Sequence, residues 1–256
     1  MVIKLIALKK PKDLYLVMTS PILITGAGQR IGLALAKHFI AQGQAIIVTY
    51  RTRHPAIDEL SDHGAVCVYA DFSTDNGINE FVSQLKLHTN SLKAVIHNAS
   101  SWDCEANNPD SSTLFDNMMR IHAKAPYLIN LALSELLLNF QQQQQHPADI
   151  IHLTDYVVEK GSPKHIAYAA SKAALENMTK SFAAKFAPNI KVNAIAPSLI
   201  IFNDHDSDEY REKTLKKSLM GIEPGCREII NSVDLLLSCH YITGRSLPVD
   251  GGRHLK

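Results

Sequence analysis

The chain has 256 residues, 46% of them hydrophobic and 20% charged, the size and balance of one α/β domain with a large core. Its formal net charge of +1 provides no basic footprint, so neither nucleic acid nor an anionic membrane surface is an expected partner. Cys67, Cys104, Cys226 and Cys239 form no CxxC pair and no metal-ligand spacing; they read as idle thiols of a reducing compartment, and no metal centre is expected.

The first twenty residues are broken by Lys4, Lys9 and Lys10 and lack the ~7–15-residue apolar core of a signal peptide. No stretch approaches the ~18 apolar residues of a membrane span, and the expected location is cytoplasmic. Residues 1–18 read as a flexible extension, with Met18 a candidate natural start, and residues 19–256 as the single domain.

From Pro21 onward, short apolar runs alternate with helical patterns. Strands are expected at 21–25, 45–50, 65–70, 93–99, 149–154, 190–196 and 245–250. Helices are expected from Ile31 to a stop at Gly43, then near 55–63, 74–88, 112–138, 165–187 and 225–238. Continuous apolar strands joined by helical crossovers predict a parallel, doubly wound sheet covered on both faces. Such a sheet binds ligands outside the carboxyl ends of its strands. The glutamine run 141–145 reads as a solvated loop or frayed helix end. The acidic run 203–210 reads as a mobile, solvated loop, and 200–225 as a segment closing over a ligand.

The stretch "TGAGQRIG" (25–32) follows the first strand and opens the first helix. Gly26 and Gly28 suit a tight turn and close backbone approach, Gly32 suits helix–sheet packing, and the helix start offers N–H groups to a pyrophosphate. Arg30 stands where the middle glycine of such a loop is expected, placed to touch cofactor phosphate or a bound substrate. The second strand ends in "VTYRTRH", with no acid to meet a ribose 2′-hydroxyl but with Tyr50, Arg51, Thr52 and Arg53. Arg51 can fork onto phosphate oxygens, which predicts NADP rather than NAD. In "AYAASKAA", Tyr168 and Lys172 lie four apart on one helix face. An ammonium there is expected to lower the phenol pKa and make a proton donor usable near neutrality.

"TGAGQRIG", "HNAS" (97–100), "YAASK" (168–172), "NAIAPSLI" (193–200) and "ITGRSLPVDGG" (242–252) resemble, in order and over residues 21–256, the short-chain dehydrogenase/reductase family. The departures carry the finer resemblance. Asp155 stands thirteen residues before Tyr168, where the family usually has serine; Arg30 replaces a glycine; and Ser100 is followed by the aromatic Trp102. This combination resembles the pteridine reductase branch, which implies reduction of a 7,8-dihydropterin, dihydromonapterin or dihydrofolate among them, to the tetrahydro form by NADPH.

By that resemblance Arg30 lies at both cofactor and pterin, Asp155 replaces the serine, and Trp102 stacks on the flat ring. Lys172 would bind the nicotinamide ribose. Asn98, Ala99 and Ser100 would line the cofactor together with Ile31, and Asp71 and Phe72 the adenine. Pro197, Ser198 and Leu199 would flank the nicotinamide, with Leu199 near substrate. Hydride would pass to C6, and the N5 proton would come from Tyr168 or from water held by Asp155. His122 takes the place of a family asparagine in the central helix, serving a water relay behind the lysine or packing the helix. The family often forms tetramers through helices corresponding to 112–138 and 165–187, so a homotetramer or homodimer is expected. Two other readings stay open at this point: a reductase of another carbonyl substrate, and a catalytically silent NADP-binding sensor.

Overall fold

The computed structural model describes residues 20–256; the extension read over 1–18 and the start read at Met18 lie outside them. Seven strands form one sheet: β1 (Ile22–Ile24), β2 (Ile46–Tyr50), β3 (Val66–Tyr69), β4 (Ala94–His97), β5 (Ala148–Leu153), β6 (Ile190–Pro197) and β7 (Ser246–Val249). Their order is β3-β2-β1-β4-β5-β6-β7, every pair parallel. Among the described residues nine α-helices accompany it: α1 (Arg30–Ala41), α2 (Pro55–Asp62), α3 (Asp75–His88), α4 (Ser111–Met119), α5 (Ala125–Gln144), α6 (Val157–Lys160), α7 (Ile166–Phe186), α8 (Asp208–Leu215) and α9 (Arg227–Ser238).

Strand side chains alternate between two cores, as the two-residue period requires. Leu23, Ile47, Val95, Ile150 and Val192 pack on Phe81 of α3, Leu133 and Leu137 of α5, and Phe182 of α7. Ile22, Ile24, Val48, Ile96 and Ile151 point the other way, onto Leu35 and Phe39 of α1, Ile57 of α2, and Val233 of α9. Both faces are buried, so the strands read as unbroken apolar runs. The chain reverses its winding between β1 and β4, and the crevice there positions the site.

The buried sheet also carries polar groups. His97 and His152 sit side by side in register on β4 and β5. His97 Nε2 donates to Asn130 Oδ1 at 2.7 Å, Asn130 Nδ2 donates to His152 Nε2 at 3.1 Å, and His152 Nδ1 donates to Thr179 Oγ1 at 2.8 Å. Thr179 passes its own hydrogen to Leu175 O. Burial pushes His97 down to about 4 and His152 well below the usual imidazole range, so both rings stay neutral. At the opposite, amino end of the strands, Lys191 pairs with Asp149 at 2.7 Å and donates to Leu236 O in the last turn of α9 and to Cys239 O just past it.

Two segments differ from expectation, and a third takes one of its two readings. The helix read over 112–138 is two helices joined by a π-helical turn, Arg120–Lys124. Pro126 has no N–H to give to the carbonyl of His122, so the α pattern fails there. Of the two readings of the glutamine run, the helix end is the one that fits: α5 runs to Gln144. Finally, the acidic run is not all loop: α8 starts at Asp208, capped by Ser207 Oγ accepting from Tyr210 N, with Asp208 and Glu209 in its first turn.

Candidate active site

A cleft of about 950 Å³ runs along the carboxyl edge of the sheet. At its nucleotide end the loop after β1 is pinned from both sides. Gly26 N donates to Thr49 Oγ1, and Asn98 Nδ2 donates to the carbonyls of Thr25 and Gly26. Gly26 has φ +70°, and a Cβ there would lie 2.8 Å from Ala99 Cα; a Cβ at Gly32 would lie 2.5 Å from Gly26 O. No other residue fits either place. The first turn of α1 has no capping side chain and no acid, which leaves its amides for an anion. Gly28, Arg30, Ile31, Gly32, Tyr50, Arg51 and Thr52 all line this end. Arg51 forms no ion pair among the described residues, whereas Arg53 is held by Asp58 at 2.5 Å. The residues present therefore fit a dinucleotide with a phosphate beyond β2.

Phe72 reaches the cleft with Ala70 and Ser73, but Asp71 does not. Its carboxylate turns onto Ser73 N at 3.0 Å and Ser73 Oγ at 2.7 Å, closing its own turn and lowering its pKa. Past β4, Asn98, Ala99, Ser100 and Trp102 line the cleft; past β6, Pro197, Ser198 and Leu199 do.

In the middle of the cleft Tyr168 OH donates to Asp155 Oδ2 at 2.9 Å, while Val157 N donates to Asp155 Oδ1 at 3.0 Å. Burial raises the Asp155 pKa above the usual carboxylate range. The Tyr168 pKa is also raised, well above 10, by burial first and the adjacent Asp155 second. This corrects the expectation of a phenol made acidic by Lys172. The Lys172 ammonium is 5.7 Å from the ring centroid of Tyr168 and donates to Leu153 O at 2.8 Å. Burial brings its own pKa down to about 8.

His122 carries two readings, a water relay behind the lysine and helix packing, and its surroundings are those of a packed residue. It lies outside the cleft wall, behind Tyr168, and makes no bond to Lys172. Its Nε2 accepts from Ser101 N at 3.2 Å and from Ser100 Oγ at 2.8 Å, and its Nδ1 donates to Ser171 Oγ at 2.8 Å. Ser171 in turn donates to Tyr168 O. Burial holds the ring neutral, which suits a positioning residue that ties the loop after β4 to α7.

The far wall is aromatic. Trp102, 65% exposed, lies 4.4 Å from the ring of His165 at 40°, and His165 Nδ1 donates to Asp103 O. His165 lines the cleft and was not singled out from sequence. Only its place just before the "AYAASK" helix could have marked it. Arg30 spans the cleft: Nη1 donates to Asn203 Oδ1 at 2.5 Å and Nη2 to Ile201 O at 2.9 Å.

A family model described as Enoyl-(Acyl carrier protein) reductase matches residues 26–254. Among curated proteins, the dihydromonapterin reductase of Klebsiella pneumoniae is 59% identical over 237 residues, 92% of this chain and 97% of that protein. The protein of the same name from Citrobacter koseri is 58% identical with the same coverage. Among solved structures, FolM alternative dihydrofolate reductase 1 from Brucella canis, complexed with NADP, superposes with a TM-score of 0.81 at 26% identity, covering 94% of this chain and 96% of that one. An apo SCOR enzyme from Clostridium thermocellum shares the fold, with a TM-score of 0.81 at 20% identity over 93% and 94% of the two chains.

Proposed function

Because the chain belongs to the short-chain dehydrogenase/reductase family, we propose that it reduces a 7,8-dihydropterin to the 5,6,7,8-tetrahydro form, using NADPH. Two relatives more than half identical over nearly the whole chain are dihydromonapterin reductases, and the Brucella canis neighbour is complexed with NADP. The observation that carries the reading is the buried Asp155–Tyr168 pair opening on a cleft walled by Trp102 and His165. A flat ring with its own N–H donors suits a carboxyl acceptor and an aromatic wall better than the lone serine hydroxyl of an ordinary ketone reductase.

NADPH, when bound, supplies the hydride for pterin C6. The protein's part is to hold the ring and to supply the N5 proton. Tyr168 alone is a poor acid with its pKa pushed up, but Asp155 can hold a proton at a pH where an ordinary carboxyl has lost it. The two titrate as one unit: as Tyr168 OH gives up its hydrogen, Asp155 returns one, and no free phenolate forms. Lys172 fixes the end of β5 through Leu153 O and keeps two further N–H groups for ribose hydroxyls. Arg51 takes the 2′-phosphate. Tyr127 and Leu131, exposed on α5, support a homo-oligomer built on that helix.

NADPH oxidation with dihydromonapterin and dihydrofolate, each repeated with NADH, tests the reading directly. Asp155→Asn and Tyr168→Phe are each expected to lower kcat by ~10²–10⁴ with NADPH affinity retained. Near-normal turnover in both would sink the proposal.

A further inference from the structure

The cleft is positive at two ends. One is Arg51, after β2. The other gathers Lys164 from the loop between α6 and α7, Lys217 from the turn that follows α8, and Arg253 from the turn after β7, all on the wall of the same cleft. In the sheet β2 and β5–β7 lie on opposite sides of β1 and β4, so the phosphate matched by Arg51 leaves the second group unmatched. None of Lys164, Lys217 and Arg253 joins an ion pair among the described residues. Arg253 is held over the Tyr156 ring at 4.7 Å.

Two further observations point to a ligand there. Thr214, three residues before Lys217, is 5% exposed, lines the cleft, and has no partner for its Oγ1 among the described residues. Partial burial and the crowding of Arg253, Lys213 and Lys164 lower the Lys217 pKa, the mark of cations gathered without a counter-charge. An adjoining cavity of about 450 Å³, which Thr214 and Arg253 also border, carries Glu223, Glu228 and Asp250 on its wall. Those carboxylates repel an anion and keep it on the side of Lys164 and Lys217.

Resting on the dihydropterin reading, we propose that Lys164, Lys217 and Arg253 form a subsite for an anionic group at the far end of the substituent on pterin C6, with Thr214 hydrogen-bonding the substituent on the way. Two sources carry that chemistry: the glutamate carboxylates of a folate, and a phosphate ester on a hydroxylated side chain. Guanidinium and ammonium groups bind both through charge-assisted hydrogen bonds.

The test compares kcat/KM for neutral dihydromonapterin, its phosphate ester, dihydrofolate and dihydrofolate triglutamate, in the wild type and in a Lys164→Gln/Lys217→Gln/Arg253→Gln variant. The expected result is about a tenfold fall in the ratio of anionic to neutral substrate, carried by KM, equivalent to about one tight charged contact. Raised salt should erode the wild-type preference in the same way. A fall for the glutamates alone assigns the subsite to folates, and for the ester alone to phosphorylated pterins; either supports it. An unchanged ratio, or an equal loss for neutral and anionic substrates, overturns the subsite while leaving dihydropterin reduction standing. No turnover of any dihydropterin by the wild type overturns both.

Discussion

Arg30 holds φ 54°, a backbone conformation that costs an ordinary side chain ~1–2 kcal/mol and glycine almost nothing. Its bonds to Asn203 and Ile201 O offset that strain. Arg30→Ala keeps the strain and loses the bonds; Arg30→Gly loses both. The glycine variant is therefore expected to be more stable than the alanine variant by ~1 kcal/mol in thermal unfolding, with KM for the pterin raised in both. Equal melting would show that the loop relaxes. Arg51→Ala should weaken NADPH binding by ~10–100-fold and NADH hardly at all, since only the former loses a charged hydrogen bond. Equal losses in a binding titration would refute the phosphate contact. At this scale the residues themselves pointed to the glycine loop and Arg51, and the family resemblance pointed to Asp155 thirteen residues before Tyr168; all of them line the cleft. The sequence was misleading on the tyrosine. The i,i+4 spacing brings Lys172 beside the ring, but not the facts that its ammonium is bonded to Leu153 O and that a carboxyl is nearer. Asp71, expected at the adenine, spends its carboxylate on an Asx turn with Ser73, which residue type and position do not announce.

Among the elements, the break between α4 and α5 is the one that shapes the site. Pro126 removes the hydrogen bond to the carbonyl of His122, and the π-helical turn that results surrounds His122. The single helix read over 112–138 missed this because apolar periodicity runs through the break. His122→Ala would leave Ser101 N–H and Ser171 without their partner, at a cost of ~1–3 kcal/mol in a denaturant titration. Turnover should fall with it, because Ser171 bonds the carbonyl of Tyr168. Stability lost with kcat intact would make the histidine purely structural. The α8 helix was missed for the opposite reason: only one of its residues, Thr214, is buried, so it has almost no apolar face to read.

For the whole molecule, the sheet separates two jobs. Its carboxyl edge carries the cleft, and its amino edge carries the buried Asp149–Lys191 pair. Above about pH 7, where Asp149 is charged, Lys191→Met would leave a carboxylate buried without its cation and should cost ~3–5 kcal/mol, while Asp149→Leu/Lys191→Met should recover most of it. Equal stability of single and double variants in denaturant titrations would refute the pairing. Burial raises the Asp149 pKa to about 7. The folded state then holds a proton that the unfolded chain releases near its usual ~3.9. The contribution of Asp149 is thus fully present below that lower value and is lost as pH rises to about 7. The fold itself was legible nearly throughout, since strand runs and glycine stops are local signals. Long-range pairs such as Asp149–Lys191 have no sequence pattern to announce them.

The His97–Asn130–His152–Thr179 chain joins β4, α5, β5 and α7 through hydrogen bonds that all run in one direction. Each imidazole therefore keeps one proton on a known nitrogen, shut away from solvent. Such protons exchange slowly and resonate far downfield of the amides, so a one-dimensional proton NMR spectrum contains a built-in gauge. While both signals stand, β4, β5, α5 and α7, the last of which carries Tyr168, are in register, with or without anything in the cleft.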